Sequence, residues 1–184
     1  MRRIVMIIAL LPVLLFASAC SKSQAVYDKQ ETVIDNLVQA ILKSDENATV
    51  EYSGGVVKIT MSTSTSAETD PALESGGTVK FYYGGYALTS ASISASTLFA
   101  TNLKELAEAS GWNSADESMY EEETVTIGKG ELVKGLETGL VGVRKGDECF
   151  ILFSGKYGWG KHARGTVPAR SATAWHIWVT DVAN

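Results

Sequence analysis

The sequence predicts an α+β domain on three observations. An apolar stripe at helical spacing lies near the N-terminus, and five later segments alternate or run apolar with β-branched and aromatic residues between glycines. One leucine-spaced stretch sits among those five. Strands in succession, without a helix between each pair, point to an antiparallel sheet. The expected architecture is a five- or six-stranded antiparallel sheet wrapped around one short central helix, preceded by an N-terminal helix.

Taken in order, Ile34, Leu37, Val38, Ile41 and Leu42 fall at i, i+3, i+4, i+7 and i+8, one face of a helix over roughly 28–43. GVVKITMS and TVKFYYGGYAL follow as strands. The Ser/Thr-rich STSTSAETDPALESGG between them, and TSASISAST after them, have loop composition. LKELAEAS is a short helix, the acidic DESMYEEE a solvated turn, and ETVTIG a short strand. ELVKGLETGLV spaces Leu132, Leu136 and Leu140 four apart, an amphipathic helix despite Gly135 and Gly139. DECFILFS and TAWHIWVTDV close the chain as strands; in the second, Trp175, Ile177 and Val179 share a face opposite His176, Trp178 and Thr180.

The N-terminus has a different character. MRR, the apolar stretch Ile4 to Phe16, and Ala17-Ser18-Ala19-Cys20 form the charged, apolar and small-residue parts of a secretory signal. The apolar stretch is shorter than the ~20 residues a spanning helix needs. Cys20 at the cleavage point resembles a bacterial lipoprotein signal, which implies a lipidated Cys20 and a domain tethered in the cell envelope, at the outer membrane facing the periplasm. The expected organisation is a signal over 1–19, a tether and helix over 20–47, and one domain over 48–184 with insertions near 89–97 and 103–119.

Loss of Arg2 and Arg3 with the signal leaves 14 basic residues against 21 acidic ones, a net charge of −7. That sign disfavours a nucleic-acid partner. With Cys20 lipidated, Cys149 has no intramolecular disulfide partner, and its apolar setting in ECFILF reads as a core thiol.

GKYGWGKH, from Gly155 to His162, tests the nucleotide alternative. Gly155, Gly160 and Lys161 come within one residue of a phosphate loop, and Gly158, Gly160 and Ala163 match a dinucleotide turn. Either would need a helix to follow, aiming its N-terminal N–H groups at phosphate. HARGTVPARS, with Gly165 and Pro168 and no helical period, leads to another strand instead. No nucleotide partner is expected, and the stretch reads as a glycine-hinged loop presenting Tyr157 and Trp159.

Five blocks in register now resemble the FKBP-type peptidyl-prolyl isomerases. GKGELVKGLETG from 128 is similar to the family's G-x-x-x-V-I-x-G-W-E-x-G, KYGWG from 156 to its Y-A-Y-G, and VPARS from 167 to its I-P-P before the last strand. GTVKFYYGGYAL and LFATN resemble its G-D-x-V-x-V-H-Y-T-G-x-L and x-F-D-T-N segments. The resemblance covers roughly 77–184 and implies an FKBP-like fold and rotation of Xaa-Pro bonds in exported proteins.

By position, the resemblance implies a pocket of Tyr83, Phe99, Val133, Trp159 and Trp175, with Leu132, Leu136 and Val167 contacting substrate. Phe99 and Trp175 are then walls, Leu136 the floor, and the Val133 N–H a donor to a substrate carbonyl. Three positions depart from the family: Ala100 for an aspartate, Leu136 for a tryptophan, Trp159 for a tyrosine. These imply a more apolar pocket and reduced turnover. The alternative is a non-catalytic module holding proline-containing or apolar segments. Bond rotation moves no proton and forms no covalent intermediate, so no cofactor or metal is expected. Lys156, Lys161, His162, Arg164 and Arg170 surround the loop and read as a solvated basic rim.

Overall fold

The computed structural model describes residues 11–112 and 114–184, with side chains from residue 23 onward. The first part of the expected signal and the side chain of Cys20 therefore lie outside the described residues. Helix α1 runs Leu11–Ser44, longer than the 28–43 expected from its apolar face. Nothing between Val13 and Ser44 breaks it, since glycine and proline are both missing there. Among the described residues no helix is long and apolar enough to cross a membrane.

Seven strands form one antiparallel sheet: β1 (Thr49–Ser53), β2 (Val56–Thr60), β3 (Thr78–Leu88), β4 (Leu98–Thr101), β5 (Glu123–Thr126), β6 (Glu148–Phe153) and β7 (Ala172–Ala183). The order is β1-β2-β6-β7-β3-β4, with β5 also pairing with β3. Eleven-residue β3 is long enough to carry β5 along Thr78–Phe81 and β4 along Gly84–Tyr86. The count exceeds the five or six expected because β1 and β4 are short and mostly polar or partly exposed, so neither announces itself by alternation. Strand β1 forms by pairing with β2 through a turn at Gly54 and Gly55, both at positive φ (57° and 83°), the left-handed geometry of a two-residue hairpin.

Two helices cover the two faces of the sheet. Ile34, Leu37, Val38 and Ile41 of α1 bury against Ile59, Leu152, Ala172 and Ala174 on one face. On the other, α3 (Lys134–Leu140) buries Leu136 and Leu140 against Phe81, Ile151, Phe153, Trp175 and Ile177. The period-2 alternation of β6 and β7 feeds both layers, so α1 is part of the folded core. Short α2 (Lys104–Ala109) follows β4 where the sequence expects it.

Helix α3 approaches β6 unusually closely. A Cβ built on Gly135 lies 2.4 Å from the Phe153 ring, and one on Gly139 lies 2.3 Å from Ile151. These glycines, which weaken a helix by about 0.5–1 kcal/mol relative to alanine, permit a contact that any side chain would prevent. Gly135→Ala and Gly139→Ala are therefore expected to destabilise the chain by about 1–3 kcal/mol through overpacking, despite the gain in helix propensity. Denaturant unfolding measures this, and unchanged or raised stability in both variants refutes the close-packing account.

On the α1 side of the sheet, His176 stacks on Phe150 (centroids 4.0 Å apart) and meets Trp178 at a tilt (3.8 Å, 36°), and its Nε2 lies 2.8 Å from Glu148 Oε1. Burial lowers its pKa from the usual 6.5, and Glu148 only partly opposes this. At neutral pH the ring is uncharged in both folded and unfolded chains. As pH falls through 6.5, the unfolded chain takes up the proton more readily, so folding stability declines. His176→Phe is expected to remove this decline between pH 7 and 5.5, read as the difference in melting midpoint between the two pH values for variant and parent.

Candidate functional site

The site grows from three neighbouring strands and the turn entering α3. Alternation along β3 sends Phe81 and Tyr83 to the α3 side, and the β3–β7 register places Trp175 opposite Gly85. Ring centroids lie 6.0 Å apart for Phe81–Tyr83 and 5.6 Å for Tyr83–Trp175. Gly85 makes room for a fourth ring: a Cβ there would come within 2.8 Å of Phe99 and 3.2 Å of Trp175. Phe99, from β4, then meets Trp175 edge-on at 5.3 Å and 86°. Such pairs add about 0.5–1.5 kcal/mol beyond area burial.

Leu132 and Val133 precede α3, and Leu136 occupies its first turn. Beside these groups opens a cavity of about 160 Å³ lined by Phe81, Tyr83, Glu123, Leu132, Leu136 and Trp175. Val133 is the N-cap of α3 in extended conformation (φ −66°, ψ 146°), and its C=O accepts from the Glu137 N–H at 3.0 Å. Among the described residues none accepts from the Val133 N–H, leaving a main-chain donor beside an apolar cavity. Burial, assisted by the charge of Glu123, raises the pKa of Tyr83 above 10.0, so its hydroxyl stays protonated at neutral pH.

A larger groove of about 360 Å³ lies between α1 and the β1–β2 hairpin, lined by Glu31, Ile34, Asp35, Tyr52 and the turn glycines. Volume alone favours it. The smaller cavity has the aromatic walls and the free donor, which are what an apolar ligand with one amide needs.

The loop after β6 supplies Trp159. This half-buried ring meets Phe99 edge-on at 5.6 Å and 80°, and Trp175 at 6.4 Å. Several contacts hold the loop. The Gly135 N–H at the start of α3 donates to Tyr157 O at 2.8 Å, and the Tyr157 ring fills the space where a Gly55 Cβ would sit. From Gly155 to Ser171 the chain forms turns and one bridge between Arg164 and Val167, then enters β7. Lys156, Lys161, His162 and Arg164 are exposed, and Arg170 is half-buried.

The structure thus brings together Tyr83, Phe99, Leu132, Val133, Leu136, Trp159 and Trp175. Of the predicted residues, Tyr83, Leu132, Leu136 and Trp175 line the cavity; Phe99, Val133 and Trp159 pack on the same core cluster outside the lining, and buried Val167 pairs with Arg164 inside the loop. Phe81 and Glu123 line the cavity and were not anticipated. Alternation with Tyr83 marks Phe81; Glu123 sits in an acidic run and gains its place only because β5 pairs it with Phe81. Buried Asn102 was also missed. Its Oδ1 accepts from the Tyr83 N–H at 2.7 Å, and its Nδ2 donates to Phe81 O at 3.2 Å and Glu121 O at 3.0 Å. Cys149 is fully buried, and burial pushes its thiol up to about 12, so it offers no thiolate. Among the described residues no group of three His, Cys, Asp or Glu converges as a metal site.

Comparison with known proteins identifies the family and the fold. The sequence pattern of the family described as FKBP-type peptidyl-prolyl cis-trans isomerase matches residues 69–179. The crystal structure of FkpA from Escherichia coli is similar with a TM-score of 0.53 at 16% identity, covering 99% of this chain and 72% of that one. The crystal structure of the three FKBP domains of wheat FKBP73 is similar with a TM-score of 0.53 at 12% identity, covering 73% of this chain and 49% of that one. No curated protein matches the chain significantly in sequence.

Asn102 ties together the backbones that carry Phe81 and Tyr83. Asn102→Ala leaves a buried N–H and a buried carbonyl without partners and is expected to cost about 1–3 kcal/mol in denaturant unfolding. A loss below about 0.5 kcal/mol, the level of an ordinary surface substitution, refutes this role.

Proposed function

The chain belongs to the family of FKBP-type peptidyl-prolyl cis-trans isomerases, and from that premise we propose that its aromatic cavity binds proline-containing segments and speeds rotation of the Xaa-Pro bond. The uncatalysed rotation crosses a barrier of ~18–20 kcal/mol and takes tens of seconds or longer. A site lowers it by fitting the twisted amide better than either planar form and by keeping water from it. The observation that carries the reading is the cavity of about 160 Å³ beside the unpaired Val133 N–H. A dry cavity near 150 Å³ accepts a benzene ring, so a pyrrolidine ring fits.

In this mechanism the proline ring rests on Leu136 against Trp175 and Tyr83. The Val133 N–H and the protonated Tyr83 hydroxyl are the donors to substrate carbonyls, and Phe99 and Trp159 shield the amide. None of these groups exchanges a proton with substrate. The clients are exported proteins, met at the bacterial envelope by a chain anchored through lipidated Cys20; the signal-like N-terminus supports that setting. A second reading, binding without turnover, draws on Ala100, which puts no carboxylate beside Phe99.

A chromogenic Xaa-Pro peptide assay decides between them. The parent chain is expected to accelerate isomerisation, and Trp159→Ala and Val133→Pro to lower kcat/KM roughly ten- to a hundredfold. Proline suits the φ of −66° at 133 and removes the donor. Peptide binding without acceleration at micromolar protein establishes the second reading and eliminates the first.

A further inference from the structure

We propose that Gln30, on the N-terminal helix, is a positioning residue for the cavity, holding closed the loop that presents Trp159. The inference rests on the isomerase reading of that cavity. Gln30 lies outside the residues that match the family, 69–179. Its carboxamide carries a donor and an acceptor on one planar group, and both are used on the same distant loop. The Gly155 N–H donates to Gln30 Oε1 at 2.9 Å, and Gln30 Nε2 donates to the carbonyl of Arg170. These are the two ends of the loop.

The ends are already in close contact. A Cβ on Gly155 would lie 2.4 Å from the Arg170 carbonyl carbon, so only glycine allows the approach. Arg170 is the non-glycine residue at positive φ (60°) among those described, a conformation that persists only where surroundings hold it. Its N–H donates to Gly160 O at 2.6 Å, and the Gly160 N–H donates to Gly155 O at 3.0 Å. Gly155, Gly160 and Arg170 are thus joined in series by two main-chain hydrogen bonds, and Trp159 lies within the turn that the first of them closes. Gln30 links the two ends of that series, Gly155 and Arg170.

Docking α1 does not need this bridge. Ile34, Leu37, Val38 and Ile41 already bury the helix, and Gln30 is one turn before the first of them. Its hydrogen bonds add what an apolar stripe lacks, a fixed geometry between helix and loop.

The test uses the full chain with Gln30→Ala and with Gln30→Met, which preserves the length of the side chain, each alone and combined with Trp159→Ala. Both single variants are expected to lose about three- to tenfold in kcat/KM, and the loss is expected to vanish in the Trp159→Ala background. Amide exchange supplies a readout independent of catalysis. The Gly160 and Arg170 N–H groups, whose acceptors lie within the loop, are expected to exchange faster in both Gln30 variants. A loss that adds fully to that of Trp159→Ala, or unchanged exchange at Gly160 and Arg170, overturns the proposal. A parent chain that turns over no peptide removes the isomerase reading alone, and exchange at these two amides then decides the role of Gln30.

Discussion

The close approach of α3 to β6 is the constraint on which the site depends. Gly135 and Gly139 let the helix sit against Phe153 and Ile151 with no intervening side chain. That depth sets where Leu136 meets the cavity, and the unpaired Val133 N–H lies at the turn entering the same helix. It also brings the Gly135 N–H within 2.8 Å of Tyr157 O, so the first turn of α3 holds the loop bearing Trp159. Helix α3, Leu136 and the loop bearing Trp159 are therefore positioned by one contact, and a single methyl group disturbs all of them.

The polar atoms around the cavity serve to hold its walls. Asn102 joins β3 to the segment before β5, and the Thr101 hydroxyl donates to Tyr83 O at 2.6 Å. Bond rotation places no demand on proton transfer, so a site for it needs shape, dryness and one or two donors in fixed directions. Cys149 is sealed in the core, the Tyr83 hydroxyl stays protonated, and Glu123 is the carboxylate among the lining residues.

Much of the fold was legible because burial leaves a period in the chain. The α1 stripe from Ile34 to Ile41 and the alternation of Trp175, Ile177 and Val179 appear in the structure on the faces expected of them. What failed to show were elements whose stability is borrowed. Strand β1 exposes most of its residues and exists because β2 pairs with it; β4 is four residues long; Glu123 joins the cavity through the register of β5. The glycines of α3, which count against a helix in isolation, turned out to be the reason for its packing.

By itself, then, the sequence determined the α+β class, the order of elements, the family blocks and most of the aromatic residues of the cavity, because apolar periodicity and motif spacing are properties of neighbours along the chain. Tertiary structure alone decided that α1 packs on the back of the sheet and that Gln30 reaches Gly155 and Arg170 more than a hundred residues away. A hydrogen bond between one polar side chain and two distant main-chain groups leaves no period and needs no distinctive residue. It becomes visible only when the sheet has fixed the positions of both partners.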